Sequence, residues 1–166
     1  VSEATVGTPH PEGGSRLNYA TEAEKQAEEM KRFNDVVARY SGSTEATVAA
    51  SFLGAIYADQ GKLKEAEQQF KQVVASGDRE LASTANLSLA QIYIATGRTA
   101  EGEAVLRALL SSPTALVSKE QATLALARAI AKTRPAEARK RLEPLQKERP
   151  AVSQAAISAI SELPAQ

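Results

Sequence analysis

The chain has 166 residues, of which 43% are hydrophobic and only 4% aromatic, and it contains no Cys and no Trp. The absence of Cys excludes disulfides, thiolate catalysis and Cys-based zinc sites. Twenty basic and twenty acidic residues give a net charge of zero, so no overall nucleic-acid-binding signature is present. Alanine dominates the apolar residues and alternating β-branched runs are missing, which together predict an all-α fold.

Residues 1–17 contain two Pro and three Gly among small polar residues, a composition that predicts a flexible linker. The only His, His10, lies in this segment, and a single imidazole does not make a metal site. The only Met is Met30, so we expect a signal peptide or a membrane anchor to precede Val1. The sequence itself has no run of 18 apolar residues, the length that a membrane span requires.

Residues 18–46 predict a long N-terminal helix that forms part of a repeat. Apolar side chains recur there at steps of three and four, which places them on one helix face. These residues are Ala20, Ala23, Ala27, Met30, Phe33, Val37 and Tyr40. Gly42 suits the end of this helix, and Ser43 or Thr44 suits the N-cap of the next one.

Residues 47–82 predict two helices joined by a tight turn, which we call helix A and helix B of a first repeat. Small residues allow the two helices to approach closely, aromatic residues fill the space beside them, and a Gly ends helix A in the left-handed conformation. The residues with these roles are Leu53, Gly54, Tyr57, Gly61, Ala66 and Phe70.

The same pattern recurs after a shift of 36 residues, in 83–118, and again in 119–150. The second repeat carries it at Leu89, Ala90, Tyr93, Gly97, Gly102 and Leu106. The third carries it at Leu126, Ala127, Ile130, Ala138 and Leu142, with a turn that is one residue shorter and lacks Gly. Pro144 falls within the second helix of the third repeat, so we expect a kink or an early end near Leu142.

The last segment, 151–166, predicts a helix that caps the open end of the array. Its apolar stripe consists of Val152, Ala156, Ile160 and Leu163. Because each helix pair buries its apolar surface only against its neighbours, such arrays need a cap at the end.

These residues resemble the tetratricopeptide repeat (TPR), whose pattern of Leu-Gly, Tyr, a small residue and an aromatic residue the first repeat matches. The resemblance implies a right-handed α-solenoid that binds peptides or helices on the concave face lined by helix A. It places partner-binding residues at Ser51, Ala55, Ala58, Leu87, Gln91, Ile94, Leu124, Arg128 and Lys132. The alternative is that the N-terminal or last helix of the chain itself fills this groove.

No enzyme is expected, because the repeats contain no His, no nucleophile–base pair and no phosphate-binding loop. We therefore expect a non-catalytic scaffold for protein–protein interaction, without a cofactor, a metal or a nucleic-acid partner. The stretch 33–70 is similar to bacterial cell-envelope repeat proteins, such as lipoproteins of outer-membrane assembly and the anchored periplasmic subunit that accompanies the secretion translocon. This similarity implies a periplasmic or membrane-anchored domain, and a cytoplasmic location stays open.

Two other functions stay open. Residues 1–80 carry 13 acidic and 9 basic side chains and residues 119–166 carry 5 and 9, so chains could self-associate as a homo-oligomer by head-to-tail attraction. Alternatively, the basic run with Arg139, Lys140 and Arg141 could bind an anionic lipid surface. Glu143 and Glu148 lie within that run, a mixture typical of a solvated helix face.

Overall fold

The fold is a succession of antiparallel helix pairs, seen in a computed structural model that describes residues 21–164. This part of the chain contains eight α-helices, one 3₁₀ helix and no strand. The elements are α1 Glu22–Arg39, α2 Thr44–Asp59, α3 Leu63–Ala75, α4 Arg79–Ala95, α5 Thr99–Ser111, α6 Lys119–Ile130, α7 Pro135–Leu142, the 3₁₀ helix Glu143–Lys147 and α8 Pro150–Ser161. The expected linker 1–17 lies outside the described residues.

Helices α2, α4 and α6 take the role of helix A, and α3, α5 and α7 that of helix B. Each helix A packs against its own helix B, and α3 and α5 then pack against the next helix A. The α1 helix packs on α2 in the same way, so it serves as a helix B. At the other end α8 packs against α6, α7 and the 3₁₀ helix. The described chain therefore has the expected all-α repeat fold, with a helix over its last repeat.

The turns between helix A and helix B show why Gly is needed in two of them. Gly61 and Gly97 have φ angles of 71° and 81°, which side chains of L-residues rarely adopt. The N–H groups of Lys62 and Arg98 then donate to the carbonyls of Tyr57 and Tyr93 at 2.8 and 2.7 Å, the hydrogen bond that closes a Schellman motif.

The third turn does without Gly because it is one residue shorter. Here the Arg134 N–H donates to the Ile130 carbonyl at 2.7 Å, four residues back instead of five. The Thr133 N–H also donates to Ile130, at 3.1 Å. A shorter ring of hydrogen-bonded residues closes this turn, so no left-handed residue is required there.

Glycine also allows the close approach of paired helices. A methyl group on Gly54 would lie 2.7 Å from the Phe70 ring of α3. In the second repeat the Gly is on the other helix, where a methyl group on Gly102 would lie 2.8 Å from the Ala90 carbonyl oxygen. The third repeat has Ala127 and Ala138 at these two positions, both fully buried.

Side chains from successive repeats form two adjoining core clusters. One joins α2, α3 and α4 around Phe70, Leu89 and Tyr93, and the other joins α4 to α8 around Leu126 and Ile130. At the remaining predicted packing positions Leu53, Ala66, Leu106 and Leu142 are buried and Tyr57 is half-buried. None of the described helices is long and apolar enough to cross a membrane.

The described part of the N-terminal helix, α1, is capped at its start and only partly covered. It begins at Glu22, where the Thr21 side chain accepts a hydrogen bond from the Glu24 N–H and caps it; residues 18–20 lie outside the described residues. Of its apolar stripe, Met30, Phe33 and Val37 are half-buried, whereas Ala23, Ala27 and Tyr40 are exposed. Within the described residues only one side of α1 is covered, by α2, which accounts for this exposure.

The last repeat ends early, as Pro144 predicts. The α7 helix stops at Leu142, and the chain continues as a 3₁₀ helix that contains Pro144. A Pro has no N–H to donate and its ring crowds the preceding turn, so a regular helix cannot continue through it. The 3₁₀ segment still packs inward, because Leu145 is buried.

Candidate functional site

An apolar groove of 440 Å³ lies between α4 and α6. Leu87 and Ile94 of α4 form one wall and Leu124 of α6 the other, and all three are half-buried. The groove is lined by Leu87, Gln91, Ile94, Ala95, Leu106, Gln121, Leu124, Ala125, Arg128 and Ala129. The structure thus brings together five of the nine predicted partner-binding residues.

Three polar side chains line this groove. The Gln121 side-chain oxygen is engaged, since it accepts from the Ser118 N–H at 2.9 Å in a capping box. Gln91 and Arg128 are exposed, and neither side chain has a hydrogen bond or ion pair within the described residues. These two groups are therefore available to a ligand that lies in the groove.

The groove exists because α4 and α6 lie apart. The α2 helix makes a small direct contact with α4, and the connection between α3 and α4 has three residues, 76–78. The connection between α5 and α6 has seven residues, 112–118. This longer connection leaves room between α4 and α6. The side chains of a ligand can occupy this space.

The longer connection is held in place by the start of α4. The Glu80 carboxylate accepts hydrogen bonds from the N–H groups of Leu116 and Ala115, at 3.0 and 3.4 Å. Ser83 and Thr114 share a hydrogen bond of 2.7 Å between their hydroxyl groups. Val117 inserts its side chain into the core and is only 1% exposed. The position of α6 is thus fixed by residues of the helix that forms the opposite wall.

The predicted residues of the first repeat do not join this groove. The Ser51 hydroxyl donates to the Thr47 carbonyl at 3.2 Å, Ala55 is exposed, and Ala58 packs against the core. Lys132 lies in an adjacent cavity of 630 Å³ instead. The predicted concave face is therefore divided: its second and third repeats form a groove, and its first repeat forms a surface of small side chains.

A charged contact links the first repeat to the second. The Arg98 guanidinium donates two hydrogen bonds to the Glu67 carboxylate, at 3.1 and 2.5 Å, and lies over the Tyr93 ring. Lys71 contacts the same carboxylate at 2.7 Å. The hydrogen bonds from Arg98, and then those from Lys71, lower the pKa of Glu67 to about 2.

The same contact recurs one repeat later, between Glu103 of α5 and Arg134, which precedes α7. Arg107 contacts Glu103 as Lys71 contacts Glu67. Sequence analysis missed this pairing, although a signal was present: both acids and both arginines lie 36 residues apart. The pairing ties α3 and α5 each to the turn of the next repeat.

The basic run is less available than its composition predicts. Arg141 donates to the Glu137 carboxylate at 2.8 and 3.0 Å, and Arg139 is half-buried. Of these three cations, Lys140 alone is exposed, and the other two are half-buried. The described residues also contain no group of three or more acidic or His side chains that could hold a metal ion.

Comparison with known families agrees with this geometry: residues 15–158 match the tetratricopeptide repeat-like domain. The chain belongs to this family. Tetratricopeptide repeat-like domains typically bind other proteins and are generally non-catalytic. No curated protein and no solved structure matches the chain.

Proposed function

We propose that this TPR-like chain is a non-catalytic scaffold that binds a segment of another protein in the groove between α4 and α6. The observation that carries the proposal is the groove itself, which has apolar walls at Leu87, Ile94 and Leu124 beside unpaired polar groups. Apolar surface in a concave site marks binding, and a few unpaired polar groups orient the ligand. The groove runs between two helices that point the same way, which suits a peptide or an amphipathic helix.

Affinity capture with the full chain tests this function. We expect the captured partners to be lost with Leu124→Asp, because the carboxylate would place a charge in the apolar groove. Val48→Asp is the matched control, because Val48 is an exposed apolar residue of α2 outside the groove. Partners that bind Leu124→Asp as well as the unaltered chain would contradict the proposal.

We also propose that the domain works in the bacterial cell envelope, facing the periplasm. The similarity of the stretch 33–70 to envelope repeat proteins supports this location. Fusion of the gene's complete product to a reporter that is active only in the periplasm tests it. Activity confined to a cytoplasmic reporter would contradict the envelope location and leave the groove unaffected.

Self-association is the second candidate function, and exposed apolar side chains on α2 and α8 favour it. Phe52 of α2 is 53% exposed and stacks on Phe33 at 5.2 Å between ring centroids. The α8 helix contains no charged residue and exposes Ile157 by 54%. Light scattering at low and high salt tests this candidate, with Ile157→Glu as the variant. A monomer at every concentration and salt would eliminate it.

A further inference from the structure

We infer that the groove recognises an apolar segment with acidic residues on one side, held by Arg128 and Lys132. The inference rests on the proposed function, and it adds the chemistry and the orientation of the ligand. Arg128 lies in the last turn of α6 and Lys132 two residues beyond its end, and both residues line the same cavity. Both are exposed, and neither has an ion-pair partner among the described residues.

The position of Arg128 links two cavities. It lines the groove between α4 and α6, and it also lines the adjacent cavity that contains Lys132. Ile94 and Ala129 line both cavities too, so the two form one continuous path past the C-terminal end of α6. A ligand that places apolar side chains near Leu87 would then place its next residues beside Arg128 and Lys132.

The charge along this path is positive at that end. The groove has no acidic lining residue, and the adjacent cavity has one, Glu162, which accepts from the Ser158 hydroxyl at 3.2 Å. Other arginines of the described repeats, such as Arg98 and Arg134, are paired with carboxylates. The two unpaired cations therefore attract acid from outside the chain, and a ligand with a basic flank is repelled.

A purely structural role for these cations makes a different prediction. A cation near the end of a helix interacts favourably with the helix dipole, which would stabilise α6 without any ligand. In that case neutralising Arg128 and Lys132 would lower stability and leave ligand preference unchanged. The two explanations are separated by measuring ligand preference and unfolding on the same variants.

Ligands for the full chain are selected from a random displayed-peptide library. A ligand is assigned to the groove when it competes with other groove ligands and does not bind the Leu124→Asp variant. We expect groove ligands enriched in apolar residues with Asp or Glu on one side. The double charge reversal Arg128→Glu with Lys132→Glu should lower the affinity of these ligands about tenfold. Each exposed ion pair contributes a few-fold to the affinity, and the reversed charges add repulsion. The reversed variant should itself select ligands with basic flanks.

The matched control is Lys119→Glu with Lys140→Glu, which changes the net charge equally at exposed cations outside both cavities. Groove ligands without acidic enrichment, or ligands that the two double variants weaken equally, would overturn the inference and leave groove binding in place. A library that gives no ligand sensitive to Leu124→Asp would overturn the proposed function together with the inference.

Discussion

The first repeat and the second and third repeats use the same positions on helix A, yet they present different surfaces. Ser51, Ala55 and Ala58 carry small side chains on α2, which touches α4 directly. Five of the equivalent residues in the second and third repeats are larger and line a groove between α4 and α6, beside the longer connection 112–118. A repeat position thus defines where a side chain points, whereas the spacing of neighbouring helices determines whether a ligand can enter.

Of the substitutions that test this difference between the repeats, Leu124→Asp should have the largest effect on ligand affinity. We expect ligands of the groove to lose affinity about 100-fold, since a charge would replace an apolar contact at the centre of the site. Isothermal titration calorimetry with a selected groove ligand measures the loss. Ala55→Asp, on the equivalent face of the first repeat, should leave the affinity unchanged. Equal losses in both variants would show that the first repeat also binds.

Gly102→Ala tests the packing beneath the groove. An added methyl group would meet the Ala90 carbonyl at 2.8 Å and the Ile94 side chain at 2.8 Å, so α4 and α5 must move apart. We expect the free energy of unfolding to fall by about 2 kcal/mol, as for overpacking of a core. Urea denaturation measures it. At an unobstructed helix position a change from Gly to Ala raises the free energy of unfolding by up to about 1 kcal/mol. A rise in the free energy of unfolding for Gly102→Ala would therefore contradict this geometry.

Glu67→Gln should weaken the charged contact between the first and second repeats. We expect a loss of about 1–2 kcal/mol, because two charge-assisted hydrogen bonds from Arg98 would be reduced in a partly shielded site. Glu65→Gln is the control on the same helix, since Glu65 is exposed and has no ion pair there. Equal stability of the two variants in urea would contradict a structural role for this contact.

The same contact gives a dependence on pH. The folded-state pKa of Glu67 is about 2, below the ordinary value of 4.5, so its stabilisation is fully present above pH 4.5. That stabilisation should disappear as the pH falls from 4.5 towards 2. The difference in unfolding free energy between the unaltered chain and Glu67→Gln should shrink over the same range. A difference that stays constant with pH would contradict the assignment.

Gly61→Ala and Gly97→Ala should have the smallest effects, and they test the same difference between the first repeat and the groove. Each places a side chain at positive φ with no other obstruction, which costs about 1 kcal/mol of stability. Only Gly97→Ala should also weaken groove ligands, by a few-fold, because Gly97 follows the end of α4 where Ile94 lies. Thermal unfolding and titration of both variants measure these effects, and equal affinities would contradict the difference between the two turns.

Local sequence was sufficient for much of the fold. The repeat of small, aromatic and Gly residues predicted paired helices, and Pro144 predicted the early end of α7, because caps, turns and proline act over a few residues. The apolar stripe of α1 did not indicate which of its residues are covered, and Ala23, Ala27 and Tyr40 are exposed. A periodic stripe shows which face could be buried, and it does not show whether a neighbouring helix is present to bury it.

The same distinction between local sequence and tertiary packing applies to the groove and to the contacts between repeats. Residue patterns along the chain predicted the helix pairs and the 36-residue repeat that aligns Glu67 with Glu103. The packing of the repeats brings five of the nine predicted partner-binding residues into one groove and places the connection 112–118 against Glu80. Helix formation depends on neighbours along the chain, whereas a gap between α4 and α6 depends on how distant segments pack.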